Sequence, residues 1–161
     1  MDATQTRNGR LIIVCGLPGG GKTTVARLLE RERGAVRMNA DEWLTSLGLS
    51  LWDATTRARV EKLQWSQAQC LLVLGVSVVI EWGSWGRAER DHLRSGARAV
   101  GATVELVYLE VADDELWEGT RTRGAEDPPV TRTDLDNWRR LFQAPDEAEM
   151  ALYDPPPPLP N

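Results

Sequence analysis

Four short apolar runs punctuate the chain, "LIIVC" at 11–15, "AVRMN" at 35–39, "VSVVIE" at 76–81 and "TVELVYLEV" at 103–111. The first and third, unbroken and rich in β-branched residues, are what central parallel strands covered on both faces require, and "AVRMN" is a weaker strand. Between them, apolar positions recur at helical spacing. A helix opens at Lys22 with Val25, Leu28 and Leu29 on one face and closes at Gly34. "ADEWLTSLG" is a short helix ending at Gly48. A long one runs from the N-cap Asp53 to Leu74, its buried face predicted as Val60, Leu63, Cys70, Leu71 and Leu74. Further helices cover about 87–100, the segment from "DDEL" to the arginines at 121 and 123, and Thr131, with Asp134 as capping-box partner, to about Phe142. Strands alternating with helices predict parallel βαβ units, hence a doubly wound three-layer α/β sandwich with a parallel sheet of four or five strands. Ligands in such folds sit beyond the carboxyl ends of the strands.

The loop after the first strand fills that position with specific chemistry. "GLPGGGKT", residues 16–23, fits G-x-x-x-x-G-K-[ST] between a strand and a helix, the context this pattern needs. Glycines let backbone N–H groups turn toward phosphate oxygens, and the helix N-terminus adds its dipole. The pattern predicts a nucleoside triphosphate on Gly16, Pro18, Gly19, Gly20, Gly21, Lys22, Thr23 and Thr24, with Lys22 on the β/γ-phosphates and the Thr23 hydroxyl on Mg²⁺.

Transfer of that phosphate needs a carboxylate to orient or deprotonate an incoming hydroxyl, and cations for the charge on the transferred group. Asp41, past strand two, is placed for the first task; the alternative is a first-turn charge complementing the helix dipole, shared with Glu42. Glu81 ends strand three, where an unpaired carboxylate is costly, so it either faces Mg²⁺ or pairs with an arginine. Arg87, Arg90, Arg94 and Arg98 form a helical stripe, but Arg98 lies ~16 Å along the axis from Arg87, so only the first two come near the strand ends. Arg87 is the candidate phosphate or acceptor contact. The irregular segment 124–130 is flanked by Arg121, Arg123 and Arg132 and fits a lid that brings Arg123 onto the phosphates. Trp82 and Trp85 flank this region and either line an acceptor pocket or pack beneath a helix. His92, the single histidine, has no partner pattern and is assigned to the surface.

Composition narrows the partners. A formal net charge of −5 gives no basic footprint and argues against nucleic acid. Of the 19 basic residues only Lys22 and Lys62 are lysines, and one of the two stands in the phosphate-binding position. No segment has the apolar length of a membrane span or a secretory leader, so a cytoplasmic protein is expected, with Cys15 and Cys70 as buried free thiols. The expected organisation is a disordered tail at 1–9, one domain over 10–153 and a Pro-rich tail at 154–161.

The succession "GLPGGGKTT", "MNADEWL", "VVIEWGSWGRAERD", "VELVYLEV", "DELW…R" and "TRTDLDNWRRLFQAPDEAEMALYD" resembles the bacterial zeta-toxin-like AAA-type ATP-binding proteins over nearly all of 10–154. These are small P-loop kinase-like proteins related in pattern to chloramphenicol phosphotransferase and to the kinase part of bacterial polynucleotide kinase. The resemblance implies a nucleoside-kinase-like P-loop NTPase fold with a short lid, ATP and Mg²⁺ at Gly19 to Thr23, an acceptor-side carboxylate at Asp41, and phosphate or substrate contacts at Arg87 and Arg123. Relatives often carry arginine where this chain has Glu118 or Gly119, and asparagine where Gly124 stands. The expected activity is transfer of the γ-phosphate of ATP to a hydroxyl of a small molecule, such as an antibiotic or a nucleotide sugar. The alternatives are a 5′-hydroxyl polynucleotide kinase and a non-catalytic ATP-binding regulator.

Overall fold

The computed structural model describes residues 9–158, so the expectation for 1–8 and the end of the Pro-rich tail, 159–161, lies outside the described residues. Four parallel strands, β1 (Arg10–Cys15), β2 (Val36–Met38), β3 (Val78–Gly83) and β4 (Thr103–Tyr108), form one sheet in the order β2-β3-β1-β4. This is the predicted α/β architecture, with four strands.

Strand β1 shows why the apolar runs are unbroken. Leu11, Ile13 and Cys15 pack with Ala68, Leu72, Leu93 and Ala97 on one face of the sheet, from α3 (Ala54–Val73) and α4 (Arg87–Ala99). Ile12 and Val14 pack with Ala26 and Leu29 of α1 (Lys22–Arg33) on the other. Helices α2 (Ala40–Ser46), α5 (Asp113–Arg123), α6 (Arg132–Leu141) and α7 (Glu147–Met150) complete the chain. Local signals set their ends: Asn39 caps α2, Asp53 caps α3, Gly34 closes α1 in the left-handed region, and Thr131 and Asp134 form both bonds of a capping box.

Three expectations are corrected. The buried face of α3 is Val60, Gln64, Ala68 and Leu72, while Leu63 is 61% and Leu74 76% exposed and Cys70 is exposed rather than buried. Gln64 governs this rotation: fully buried, it donates to the Asn39 carbonyl at 3.0 Å and accepts from the Trp82 indole at 2.6 Å. Strand β3 starts and ends two residues later than predicted, so Glu81 and Trp82 lie within it. Ile13 pairs with Ile80 but Cys15 with Gly83, so those two residues oppose Val14 alone, a bulge at the carboxyl end of the strand. Finally, Asp154, first residue of the expected tail, pairs with edge strand β4: its backbone N–H donates to the Val104 carbonyl and its carboxylate accepts from the Val104 N–H, each at 2.7 Å. The exposed edge of β4 is thereby partly covered.

Candidate active site

The glycine loop leaves β1 and enters α1 through Gly19 and Gly21, both left-handed at φ 80° and 83°. At Gly21 an added Cβ would meet only open space, so its neighbourhood is free for a ligand. At Gly19 it would meet the Thr120 N–H and hydroxyl of α5 at 2.8 and 2.6 Å. A Cβ on Gly119 would in turn run into the Gly19 carbonyl oxygen. Loop and helix therefore meet glycine to glycine, which explains why no arginine stands at 119. Alanine here would ordinarily stabilise a helix by about 1 kcal/mol. The obstacle is backbone and cannot rotate aside, so Gly119→Ala should instead destabilise by about 1–3 kcal/mol and displace the loop. Thermal unfolding and nucleotide titration of that variant check it.

The loop forms one wall of a cavity of about 860 Å³, within the range of ligand sites. The ends of β1, β2 and β3 meet there as the topology requires, bringing Pro18, Gly19, Gly21, Lys22, Thr23 and Thr24 together with Asp41 and Glu81. Arg123 reaches it from the end of α5. Gly16 and Gly20 serve the loop from behind; the Gly16 N–H donates to the Gly83 carbonyl at 3.1 Å and that of Gly20 to Leu17 at 3.2 Å. Arg87 does not join them: its side chain faces Asp91 one turn along α4 at 3.7 Å, away from the cavity wall. Being the first residue of α4, it follows the helix rather than the strand end.

Lys22 folds back over the loop, its Nζ donating to the Leu17 carbonyl at 2.9 Å. Burial, then the nearby Arg123 charge, lowers its pKa to about 8. An anionic phosphate on Nζ raises that value again. Binding of ATP at about pH 9 should therefore take up a proton, and at about pH 7 Lys22 should contribute none. Calorimetry in buffers of different ionisation enthalpy reads the difference directly.

Asp41 sits between two arginines. Arg57 Nη2 lies 2.5 Å from Oδ1, and Arg123 Nη1 3.8 Å from Oδ2, with Arg123 also paired to Glu126. Glu81 takes the arginine alternative: Oε1 accepts from Arg37 Nη1 and, at 2.7 Å, from Asn39 Nδ2, leaving Oε2 outside both bonds. Arg37 also holds Glu42 at 2.8 Å and Glu30 at 3.3 Å, which draws Glu42 away from the cavity. Trp82 and Trp85 both line the cavity and both touch the core. Trp85 stacks obliquely on Trp138, and Trp138 on Trp52, each at 6.0 Å between ring centres, while the Trp52 indole donates to the Pro128 carbonyl of the irregular segment at 2.9 Å. Arg57, Arg37 and Trp138 were not singled out from sequence. Arg57 and Arg37 reach the site through carboxylates 16 and 44 positions away, and Trp138 through other tryptophans, so no local motif marks them.

A glycine loop, carboxylates at or just past strand ends and an arginine from the end of α5 meet on one cavity of a four-stranded parallel sheet, the arrangement of the P-loop kinase-like class. Residues 11–145 match the AAA_33 family of AAA domains, and the chain belongs to that family. No curated protein matches the chain. Among solved structures, the Pnkp1/Rnl/Hen1 RNA repair complex contains a chain with TM-score 0.72 and 19% identity over 96% of this chain, which spans 49% of that one. A gluconokinase from Sinorhizobium meliloti 1021 gives 0.60 and 21%, over 89% of this chain and 79% of its own. Kti12 of Chaetomium thermophilum, solved with ADP-AlF3, gives 0.65 and 19%, over 86% and 82%. These likenesses concern the fold. Among the described residues no helix is long and apolar enough to cross a membrane.

Proposed function

We propose that the protein is an ATP-dependent phosphotransferase acting on an alcohol group of a small molecule. The observation that carries this reading is the shared cavity: Lys22, Asp41 and Arg123 stand on it beside the glycine loop, with room and an aromatic wall for a second substrate. The acceptor hydroxyl oxygen attacks the γ-phosphorus as its proton passes to Asp41. The bond from that phosphorus to the β,γ-bridging oxygen breaks, and the bridging electron pair leaves with ADP. Lys22 and Arg123 offset the charge on the equatorial and leaving oxygens.

The residues also suit Mg²⁺. A hydroxyl at Thr23 and the Glu81 oxygen outside the Arg37 pair are hard oxygen donors, and no cluster of three His, Cys, Asp or Glu side chains stands among the described residues to cage the ion. That is the donor set expected where phosphates and water complete the shell. Bound there, Mg²⁺ would neutralise phosphate charge.

Within the AAA_33 family, the sequence motifs favour the zeta-toxin-like group, and residues 10–153 are read as its single domain. ATP as donor fits a cytoplasmic setting. A polynucleotide acceptor is disfavoured by the cavity wall, where Asp41, Glu61, Glu81, Glu89, Glu118 and Glu126 outnumber Lys22, Arg57 and Arg123. Incubation with γ-labelled ATP and a panel of hydroxyl compounds tests the proposal: label on an organic product supports it. Tight ATP binding with no transfer to any acceptor would assign the chain to a regulator instead.

A further inference from the structure

The side of the cavity built from α3, the end of β3 and the turn after it, α4 and α6 carries three indoles, Trp82, Trp85 and Trp138, and two carboxyl groups, Glu61 of α3 and Glu89 of α4. Among the described residues neither has a cation to itself. Glu61 Oε1 lies 3.9 Å from Arg57, whose other nitrogen is committed to Asp41 at 2.5 Å. Arg90, next to Glu89 in sequence, is closed around Glu149. Glu89 turns back toward the N–H groups of Gly86 and Trp85 at the start of α4, a favourable dipole position that still leaves it facing the cavity. Burial pushes both acids up, and Glu61 reaches about 7, with the charge of Glu89 adding to the effect. Half-buried carboxylates in this condition are those that a cation would relieve.

A second observation is independent of the acids. Ser84 is 1% exposed, lies at φ 46° where a non-glycine residue is uncommon, and lines the same cavity. Its Oγ is buried and has no hydrogen-bond partner among the described residues. A buried hydroxyl without a partner is costly and rare. Backbone in a sparsely populated conformation, holding such a group against a cavity, is a feature of ligand sites.

We propose that this side of the cavity binds an acceptor bearing a positively charged amine as well as its hydroxyl, with an apolar or aromatic body. The ammonium group is received by Glu61 and Glu89, the body lies against the tryptophans, whose faces also attract cations, and Ser84 Oγ takes a polar atom of the ligand. The proposal rests on the phosphotransferase reading for the fate of the hydroxyl, but the binding preference stands by itself.

The test uses amine-bearing aromatic alcohols, tryptophanol and phenylalaninol, each against its N-acetyl form, in which a neutral amide replaces the ammonium, titrated calorimetrically into the full chain near neutral pH. The free amine should bind about tenfold to a hundredfold more tightly, the increment of one or two charge-assisted hydrogen bonds. In Glu61→Gln/Glu89→Gln the ratio should fall to about twofold or less, because both amides are neutral. Should the double variant fail to fold, Glu89→Gln alone should lower the ratio, and the ratio is read within one protein, so loss of folded material does not imitate it. Equal or tighter binding of the N-acetyl forms, no binding by any of the amines, or a ratio that survives the substitutions would overturn the proposal. Parallel assays with γ-labelled ATP separate the two readings. Amine-selective binding without transfer sustains this inference and removes the phosphotransferase; transfer only to uncharged alcohols does the reverse.

Discussion

Glu149→Ala should cost the fold about 3–5 kcal/mol, the range for removing one partner of a buried ion pair, and lower the melting temperature by about 10 °C or more. The side chains of Arg90 and Glu149 are 0% and 2% exposed and meet twice, at 2.6 and 2.9 Å. Arg90 also donates to the carbonyls of Ser84 at 2.9 Å, Trp85 at 3.2 Å and Gln143 at 2.8 Å. Without Glu149 that guanidinium stays buried without its ion-pair partner. The loss does not stop at stability. Arg90 fixes the turn after β3, where Ser84 and Trp85 form part of the cavity wall, so acceptor affinity should fall with the melting temperature. An apolar exchange of both residues, Arg90→Met with Glu149→Leu, should recover much of the stability but not the turn, since methionine donates nothing to the three carbonyls. Thermal unfolding of the single and double variants separates these effects. A loss under about 1 kcal/mol in Glu149→Ala would show that the pair is not what holds α7 against α4.

The two layers of information in this chain were unequally legible. Whatever depends on neighbours in sequence could be read: the apolar strands, the glycine loop between β1 and α1, Gly34, and the Thr131 and Asp134 box. Strand–helix alternation was enough to bring the ends of β1, β2 and β3 to one crevice, and thereby Lys22, Asp41 and Glu81 to one cavity. What depends on pairing across the fold could not. Arg90 was placed near the strand ends as one position of a basic helical stripe, but its buried ion pair was not legible because its partner is 59 residues away. Arg87, one turn earlier on the same face, was favoured and turned outward. In α3 the leucines suggested one face, yet the buried one is set by Gln64, whose amide satisfies two polar groups that Leu63 could not. Trp82 and Trp85 posed a choice between core and pocket that the structure answers with both, since the bulge at Glu81 and Trp82 sets the strand end against the cavity.

Asp41→Asn should lower the rate of phosphate transfer about 10²–10⁴-fold, the usual contribution of a positioned general base, while ATP affinity changes little. Arg57 occupies Oδ1 at 2.5 Å, whereas Arg123 stays 3.8 Å from Oδ2, beyond a direct hydrogen bond. Oδ2 is therefore the oxygen open to an acceptor hydroxyl, and the asparagine, keeping size and first-turn position, places either an amide N–H or a weak carbonyl there. The competing role, a charge complementing the dipole of α2, is one that Glu42 shares, and it is worth only about 0.3–1 kcal/mol of stability. Glu42 supplies the control. It is tied to Arg37 at 2.8 and 2.9 Å and to Arg27 at 3.1 Å and does not line the cavity. Glu42→Gln should thus shift the melting temperature with transfer nearly intact, and Asp41→Asn should do the opposite. Removal of Arg57 adds a third reading, because it frees Oδ1 and loosens the carboxylate: kcat should fall less than in Asp41→Asn, about tenfold, and Asp41→Asn should be insensitive to it in the double variant. If both acidic variants move stability alone, Asp41 belongs to the helix and the base lies elsewhere on the cavity.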